Sequence, residues 1–214
     1  MTNRQFSIQK NIDDTLEILQ KIINKLEQYK IQYYLDFGTL LGAVREKGFI
    51  PWDNDVDISV INEQDYHKIP AILDSLKKEY NLRVNLFTFF SSRVHRKRKN
   101  RKIYKNSINF TDENNYQIAK IRNNKFWKFG RGNVNIDLFF KYEKDNFLYW
   151  YADGQSNKTS SDFLQNGLRK IQFYNLECSI PVDYNKYLTQ LYGNWKTPDK
   201  NWTENESITQ IGNS

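Results

Sequence analysis

The sequence predicts an α+β fold, a mixed sheet flanked by helices, and three observations carry that expectation. Helical spacing rules the N-terminal stretch, where Ile12, Leu16, Leu19, Ile23 and Leu26 recur every three or four residues. Apolar residues then alternate in a series of short segments, the pattern of half-buried strands. Helical and alternating segments interleave early in the chain, while strand-like segments follow one another later.

The first helix has Asp13 and Asp14 in its expected first turn and Lys25 and Lys30 near its end, as the helix dipole favours. Its apolar stripe would also suit a coiled coil, but about two heptads favour core packing. "IQYYLDFG" reads as a strand with Ile31, Tyr33, Leu35 and Phe37 alternating, ending at Gly38. "TLLGAVREKG" reads as a short helix closed by Gly48, and "NDVDISVI" as a strand with Val56, Ile58 and Val60 on one face. "QDYHKIPAILDSLKKEY" is expected to be helical with a break at Pro70, and "NLRVNLFTFF" to be a strand. "NYQIAKIRNN", "NVNIDLFFKYE" and "NFLYWYAD" read as successive strands, "FLQNGLRKIQFYNLECSIP" as a hairpin, and "DYNKYLTQLYG" as a helix ending at Gly193. An aromatic tail with Trp195 and Trp202 follows.

A chain of 214 residues, 39% hydrophobic and 15% aromatic, fits a single domain over residues 1–214. No apolar run approaches the roughly 18 residues of a membrane span, and "MTNRQFSIQKNIDD" lacks the apolar centre of a signal peptide. A cytoplasmic protein is expected. One cysteine, Cys178, with two distant histidines, His67 and His95, excludes an internal disulfide and the usual four-ligand zinc site. Any metal should be held by oxygen. Cys178 itself alternates as a buried strand residue, not as a catalytic thiol.

The formal net charge is +7, yet residues 93–105, "RVHRKRKNRKIYK", hold eight Lys and Arg and no acid, so the remainder of the chain stands at −1. Basicity is therefore a property of one segment. That segment fits an anionic glycan, the anionic inner leaflet of a membrane, or nucleic acid, with a plainly solvated loop as the alternative.

Acid is concentrated elsewhere, in "DFGTLLGAVREKGFIPWDNDVDISV" over residues 36–60. On a strand Asp55 and Asp57 share a face about 7 Å apart at Cα. Two such carboxylates repel, and a raised pKa, a basic partner or a bound cation relieves them; Mg²⁺, or Mn²⁺ in its place, suits a few carboxylates together with phosphate oxygens. Gly38 and Thr39 stand where a strand turns into a helix, so their N–H groups are placed to hold a phosphate, with Arg45 as a further cationic contact. A lone Asp-x-Asp is usually a solvated strand face. A strand, a Gly-Thr turn, a helix and an Asp-x-Asp strand, however, is the order of polymerase-beta-like nucleotidyltransferases, which add a third carboxylate from a neighbouring strand. Asp137, the only acid of "NVNIDLFF" in strand 133–141, supplies one.

"FGTLLGAVREKGFIPWDNDVDI" closely resembles the signature of the LicD family, which includes fukutin and fukutin-related protein, and "IAKIR", "NVNIDLFF" and "YLTQLYGNW" resemble its later landmarks. The resemblance implies a nucleotidyltransferase-like fold and transfer of a phosphorylated alcohol from a CDP-activated donor to a glycan hydroxyl. It implies that Asp55 and Asp57 bind the metal, that Asp137 is the third carboxylate, and that Gly38 and Thr39 hold phosphate. Asp53 is implied as a further ligand or a group behind the ligands. Arg45, Lys120 and Arg122 match basic positions that would neutralise the diphosphate, a solvated strand edge being the alternative for the last two. CDP-choline is the favoured donor and a glycan, including a lipid-linked one, the acceptor. The zinc-binding element of fukutin-related protein has no counterpart, since the cysteines are missing.

Trp52, Trp127, Tyr149, Trp150 and Trp195 are candidates to stack on a base or enclose a quaternary ammonium, with core packing the alternative for each. Three alternatives remain beside the favoured one, of which a catalytically dead relative serving as a partner scaffold is opposed by the intact acids. A true nucleotidyltransferase would attack the alpha phosphorus of a nucleoside triphosphate and release pyrophosphate. A nucleic-acid-binding module would use residues 93–105 and leave the acids without a purpose.

Overall fold

The computed structural model describes residues 4–88, 115–124, 131–152 and 155–199. The basic segment 93–105, Trp127 and Trp202 lie outside these residues. Helix α1 spans Gln9–Gln28 and buries Ile18, Leu19, Ile22, Ile23 and Leu26; of the expected stripe Leu19, Ile23 and Leu26 are in the core, while Ile12 and Leu16 are only partly buried against it. It starts a turn earlier than the sequence suggests, so Asp13 and Asp14 sit beyond its first turn; they are tied to Gln9 and Lys10 across i,i+4 pairs.

Strand β1 is only Tyr33–Leu35, and α2 follows at Phe37–Arg45. The strand stops before Gly38 because Asp36 takes the N-cap position, its carboxylate accepting the Phe37 N–H at 2.7 Å. Next come β2, Val56–Val60, a 3₁₀ turn over Glu63–Lys68, and α3, Ile69–Tyr80. The expected break falls where the 3₁₀ turn meets α3, and Pro70 occupies the first turn of α3, where its missing N–H costs nothing.

The strands β3 (Leu82–Thr88), β4 (Tyr116–Asn124) and β5 (Arg131–Phe140) complete a five-stranded sheet in the order β1-β2-β5-β4-β3. Only β2 and β5 run parallel; the other pairs are antiparallel, so the sheet is mixed as expected. Helices α1 and α3 pack together against β5 and β3, and α2 lies against β2. Register separates the two faces. Val56, Ile58 and Val60 stand beside Ile136, Leu138 and Phe140, and Ile121 and Ala119 continue that apolar face. Asp57, Asp137 and Lys120 fall on the other face.

Beyond this sheet, β6 (Tyr142–Lys144), β7 (Phe147–Ala152) and β8 (Gln155–Ser160) form an antiparallel sheet, and β9 (Leu168–Phe173) with β10 (Leu176–Pro181) the expected hairpin. Strand β8, "QSNKTS", has no apolar alternation; it exists because β7 pairs with it from Phe147↔Ser160 to Ala152↔Gln155. Helix α4, Tyr184–Tyr192, buries Tyr187, Leu188 and Leu191.

Candidate active site

The parallel pairing of β2 with β5 sets Asp57 directly beside Asp137, and the antiparallel pairing of β4 with β5 sets Lys120 on the other side of Asp137. Asp55 stands just before β2, where Asn135 donates to its Oδ2 at 3.3 Å. Asp53 reaches the same region from the preceding turn: its Oδ2 lies 2.8 Å from where a Cβ on Gly38 would be, so only glycine permits this approach. The backbone of Asp53 is fixed by Phe6 N–H donating to its carbonyl at 3.0 Å. The four expected acids therefore meet at one end of β2, against the start of α2.

Their electrostatics are those of carboxylates crowded together. Asp55 is pushed up to about 7, first by loss of hydration, then by the charge and hydrogen bonding of Asp53 and the charge of Asp137, with Arg122 opposing. Asp57 is raised well above the ordinary carboxylate range by loss of hydration first, then by Asp55, Asp137 and Asp53. Such a cluster holds a proton or a cation where water alone does not suffice. All four groups are hard oxygen donors, the set that suits Mg²⁺ or Mn²⁺ when substrate phosphates complete the shell. Among the described residues no group of three or more His, Cys, Asp or Glu side chains is arranged to hold a metal ion by itself. In chemistry the donor set suits a cation whose shell substrate would complete, and Asp55 and Asp57, with Asp53 and Asp137 beside them, are the residues that could hold it.

Asp137 is nearly buried and carries two cations, Lys120 Nζ on Oδ2 at 3.0 Å and Arg122 on Oδ1 at 2.7 Å. The two basic residues differ. Arg122 also donates to the carbonyls of Ile121 and Ile136, both at 2.8 Å, so its guanidinium is committed to the protein's own acceptors. The Lys120 side chain remains 42% exposed, open to an anion from solvent. Arg45 is not brought to the acids: it sits about 10 Å of helix rise from Gly38. There it bonds Glu46 at 2.7 Å and the Trp195 carbonyl at 3.0 Å.

The turn expected to hold phosphate is built firmly. Gly38 and Thr39 lie in the first turn of α2, where N–H groups have no intrahelical acceptor. The Thr39 hydroxyl accepts the Asp57 N–H at 2.9 Å, tying helix to acid strand. Behind it lies a cluster that pattern reading passes over. Asp36 and Lys141, both fully buried, form an ion pair at 2.6 Å; Tyr187 donates to Asp36 at 2.6 Å and Ser59 also donates to it. Burial lowers the Lys141 ammonium while Asp36 opposes that shift. The signal was a lone acid ending the apolar run "YYLD" and a lone base ending "LFFK". Asn135 was likewise unforeseen.

Of the aromatic candidates, Trp150 and Trp195 are core residues. Trp150 does face a cation, the Lys141 ammonium at 4.5 Å from its ring centre. Cys178 is buried, and burial pushes its thiol up to about 12.

Comparison with known proteins places this geometry in context. The chain is 39% identical over 67 residues to the lipopolysaccharide cholinephosphotransferase LicD of Haemophilus influenzae, a match covering 31% of this chain and 25% of that protein. It is 28% identical to an uncharacterised protein of Rickettsia typhi over 90% of this chain and 47% of the relative, and 27% identical to the ribitol-5-phosphate transferase FKTN of Mus musculus over 87% and 34%. The matched regions thus span less than half the length of these relatives. The solved structure of ANT(2″)-Ia with adenylyl-2″-tobramycin aligns at a TM-score of 0.36 and 13% identity over 89% of this chain and 83% of that one, too distant to carry an argument. Residues 30–183 match the family model described as the LicD/FKTN/FKRP nucleotidyltransferase domain, a stretch that takes in the Gly-Thr turn and all four aspartates, and the chain belongs to this family.

Proposed function

We propose that this chain transfers a phosphorylated alcohol, phosphocholine before others, from a CDP-activated donor to a glycan hydroxyl and releases CMP. The observation that carries the reading is the meeting of Asp53, Asp55, Asp57 and Asp137 with the first-turn amides of α2. A polymerase-beta-like nucleotidyltransferase fold is part of it, supported by the order strand, Gly-Thr turn, helix, acid strand and by a third carboxylate on the adjacent parallel strand.

Bound Mg²⁺ or Mn²⁺, held by Asp55, Asp57 and neighbouring carboxylates, would neutralise the diphosphate and stabilise the departing CMP. The chain's own groups do the rest. The Gly38 and Thr39 N–H groups donate to phosphate oxygens at the positive end of α2. Lys120, its side chain 42% exposed, adds a cation for the diphosphate, while Arg122 fixes the plane of Asp137. The glycan oxygen bonds to the distal phosphorus as the bond from that phosphorus to the CMP oxygen breaks. The hydroxyl proton passes to Asp137 or the carboxylate beside it, each oxygen of Asp137 having acceptor capacity left after its single cation contact.

A polyol phosphate, ribitol or glycerol phosphate, is the second reading. It is favoured by the ribitol-5-phosphate transferase FKTN matching along 87% of this chain, against 31% for the cholinephosphotransferase. No helix among the described residues is long and apolar enough to cross a membrane. The proposed setting is cytoplasmic, with a lipid-linked acceptor met at the inner leaflet. The test is a screen of CDP-choline, CDP-ribitol, CDP-glycerol and CDP-ethanolamine for Mg²⁺-dependent CMP release with candidate glycans present. CDP-choline is expected to lead; no release from any of them contradicts the proposal.

A further inference from the structure

The strand-to-helix turn that presents Gly38 and Thr39 is strained. Phe37 has φ of +42°, a conformation that costs a non-glycine residue energy and persists only where its surroundings enforce it. The enforcement converges on Asp36. Its carboxylate accepts from four donors on four segments: the Phe37 N–H, Ser59 of β2, Tyr187 of α4 and Lys141 beyond the end of β5. Lys141 in turn donates to the Tyr187 hydroxyl at 2.7 Å, and its ammonium lies 4.7 Å from the Phe37 ring centre and 5.3 Å from that of Tyr34. The Phe37 ring is further wedged against Phe139 and Trp150. The Asp36 N–H donates to the Asp57 carbonyl at 3.0 Å, so the same node touches the acid strand directly.

A pair at zero exposure cannot meet substrate, and a buried ion pair is weak support for stability when a neutral pair of like shape would serve. Its position is informative instead. We propose that Asp36 and Lys141 are positioning residues: their buried pair holds the strained turn at Phe37 and thereby sets the Gly38 and Thr39 amides against Asp57. The role rests on the reading of that turn as the phosphate cradle, although its structural half can be examined without it.

The experiment compares the full chain with Asp36→Asn/Lys141→Met, which removes both charges together and leaves neither ion unpaired. Hydrogen exchange is followed in the segment 36–45 and, as reference, in α1 and β4. Exchange in 36–45 is expected to speed up by about tenfold or more while α1 and β4 stay protected. With CDP-choline, kcat is expected to fall about a hundredfold and donor KM to change little, the split of a misplaced reacting group. Should the double variant not fold, Ser59→Ala removes one donor to Asp36 without unpairing a charge and is expected to loosen 36–45 to a smaller degree. Unchanged exchange in 36–45, or an equal rise across α1 and β4, overturns the inference. Absence of CMP release by the parent chain would count against the proposed function alone, since the exchange result still decides the positioning role.

Discussion

At Asp55 and Asp57 the chain keeps two carboxylates that loss of hydration first, and neighbouring acids second, make easier to protonate: Asp53 and Asp137 act on Asp55, and Asp55 with Asp137 and Asp53 on Asp57. The consequence for stability has a definite sign. A carboxyl whose folded value is raised binds more protons folded than unfolded between its ordinary value and the raised one. For Asp55 that interval runs from 3.8 to about 7, so without a divalent cation its contribution to stability should be fully present below the interval and be lost as pH rises through it. Added Mg²⁺ should flatten the slope, because the cation then does what the proton did. Asp55→Asn and Asp57→Asn should both fold, melt higher than the parent at pH 8 without metal, and lose activity by about a thousandfold or more. Melting curves beside turnover check this; a folded variant with near-full activity would remove the metal assignment.

At the scale of elements, α2 is closely hemmed in at two glycines, and these separate function from packing. A Cβ on Gly42 would stand 2.6 Å from the Gly48 carbonyl and 3.2 Å from the Ile50 N–H, both backbone atoms that cannot step aside. Gly42→Ala should cost about 1–3 kcal/mol by overpacking, even against the gain in helix propensity. At Gly38 the obstacle is the end of the Asp53 side chain, which can rotate. Gly38→Ala should therefore melt close to the parent yet bind Mn²⁺ at least about tenfold more weakly, because Asp53 is driven from the cluster. Equal loss of melting temperature in both variants would show that Gly38 only packs.

Across the whole molecule, legibility followed burial and partnership. The alternation of Val56, Ile58 and Val60 disclosed β2 because one face is fully buried, and the same alternation disclosed where Asp57 points. Asp137 stood out as an acid within an apolar strand. Arg45, in contrast, lay within the family signature, but its sequence neighbourhood gave no hint of the Trp195 carbonyl 150 residues away. The pairing of Asp36 with Lys141, and the committal of Arg122 to Asp137, depend on which strands adjoin, which local pattern does not encode. Strand β8 was missed for the same reason.

The segment 93–105 belongs to the molecular scale because its eight cations account for the chain's net positive charge. Changing Arg96, Lys97, Arg98 and Lys99 together to Ser should weaken acceptor or anionic-liposome binding in a salt-dependent way and leave slow hydrolysis of the donor unchanged. If donor hydrolysis falls as far as transfer, the segment serves the nucleotide instead.

The claim that unites these scales is the identity of the bond broken, and mass spectrometry of both products from one incubation tests it most directly. With a CDP-linked alcohol, Mg²⁺ and an acceptor glycan, the account predicts CMP in solution and the glycan heavier by the phosphorylated alcohol. Pyrophosphate released from CTP, with a nucleotide carried on the acceptor, would contradict it and make the chain a true nucleotidyltransferase.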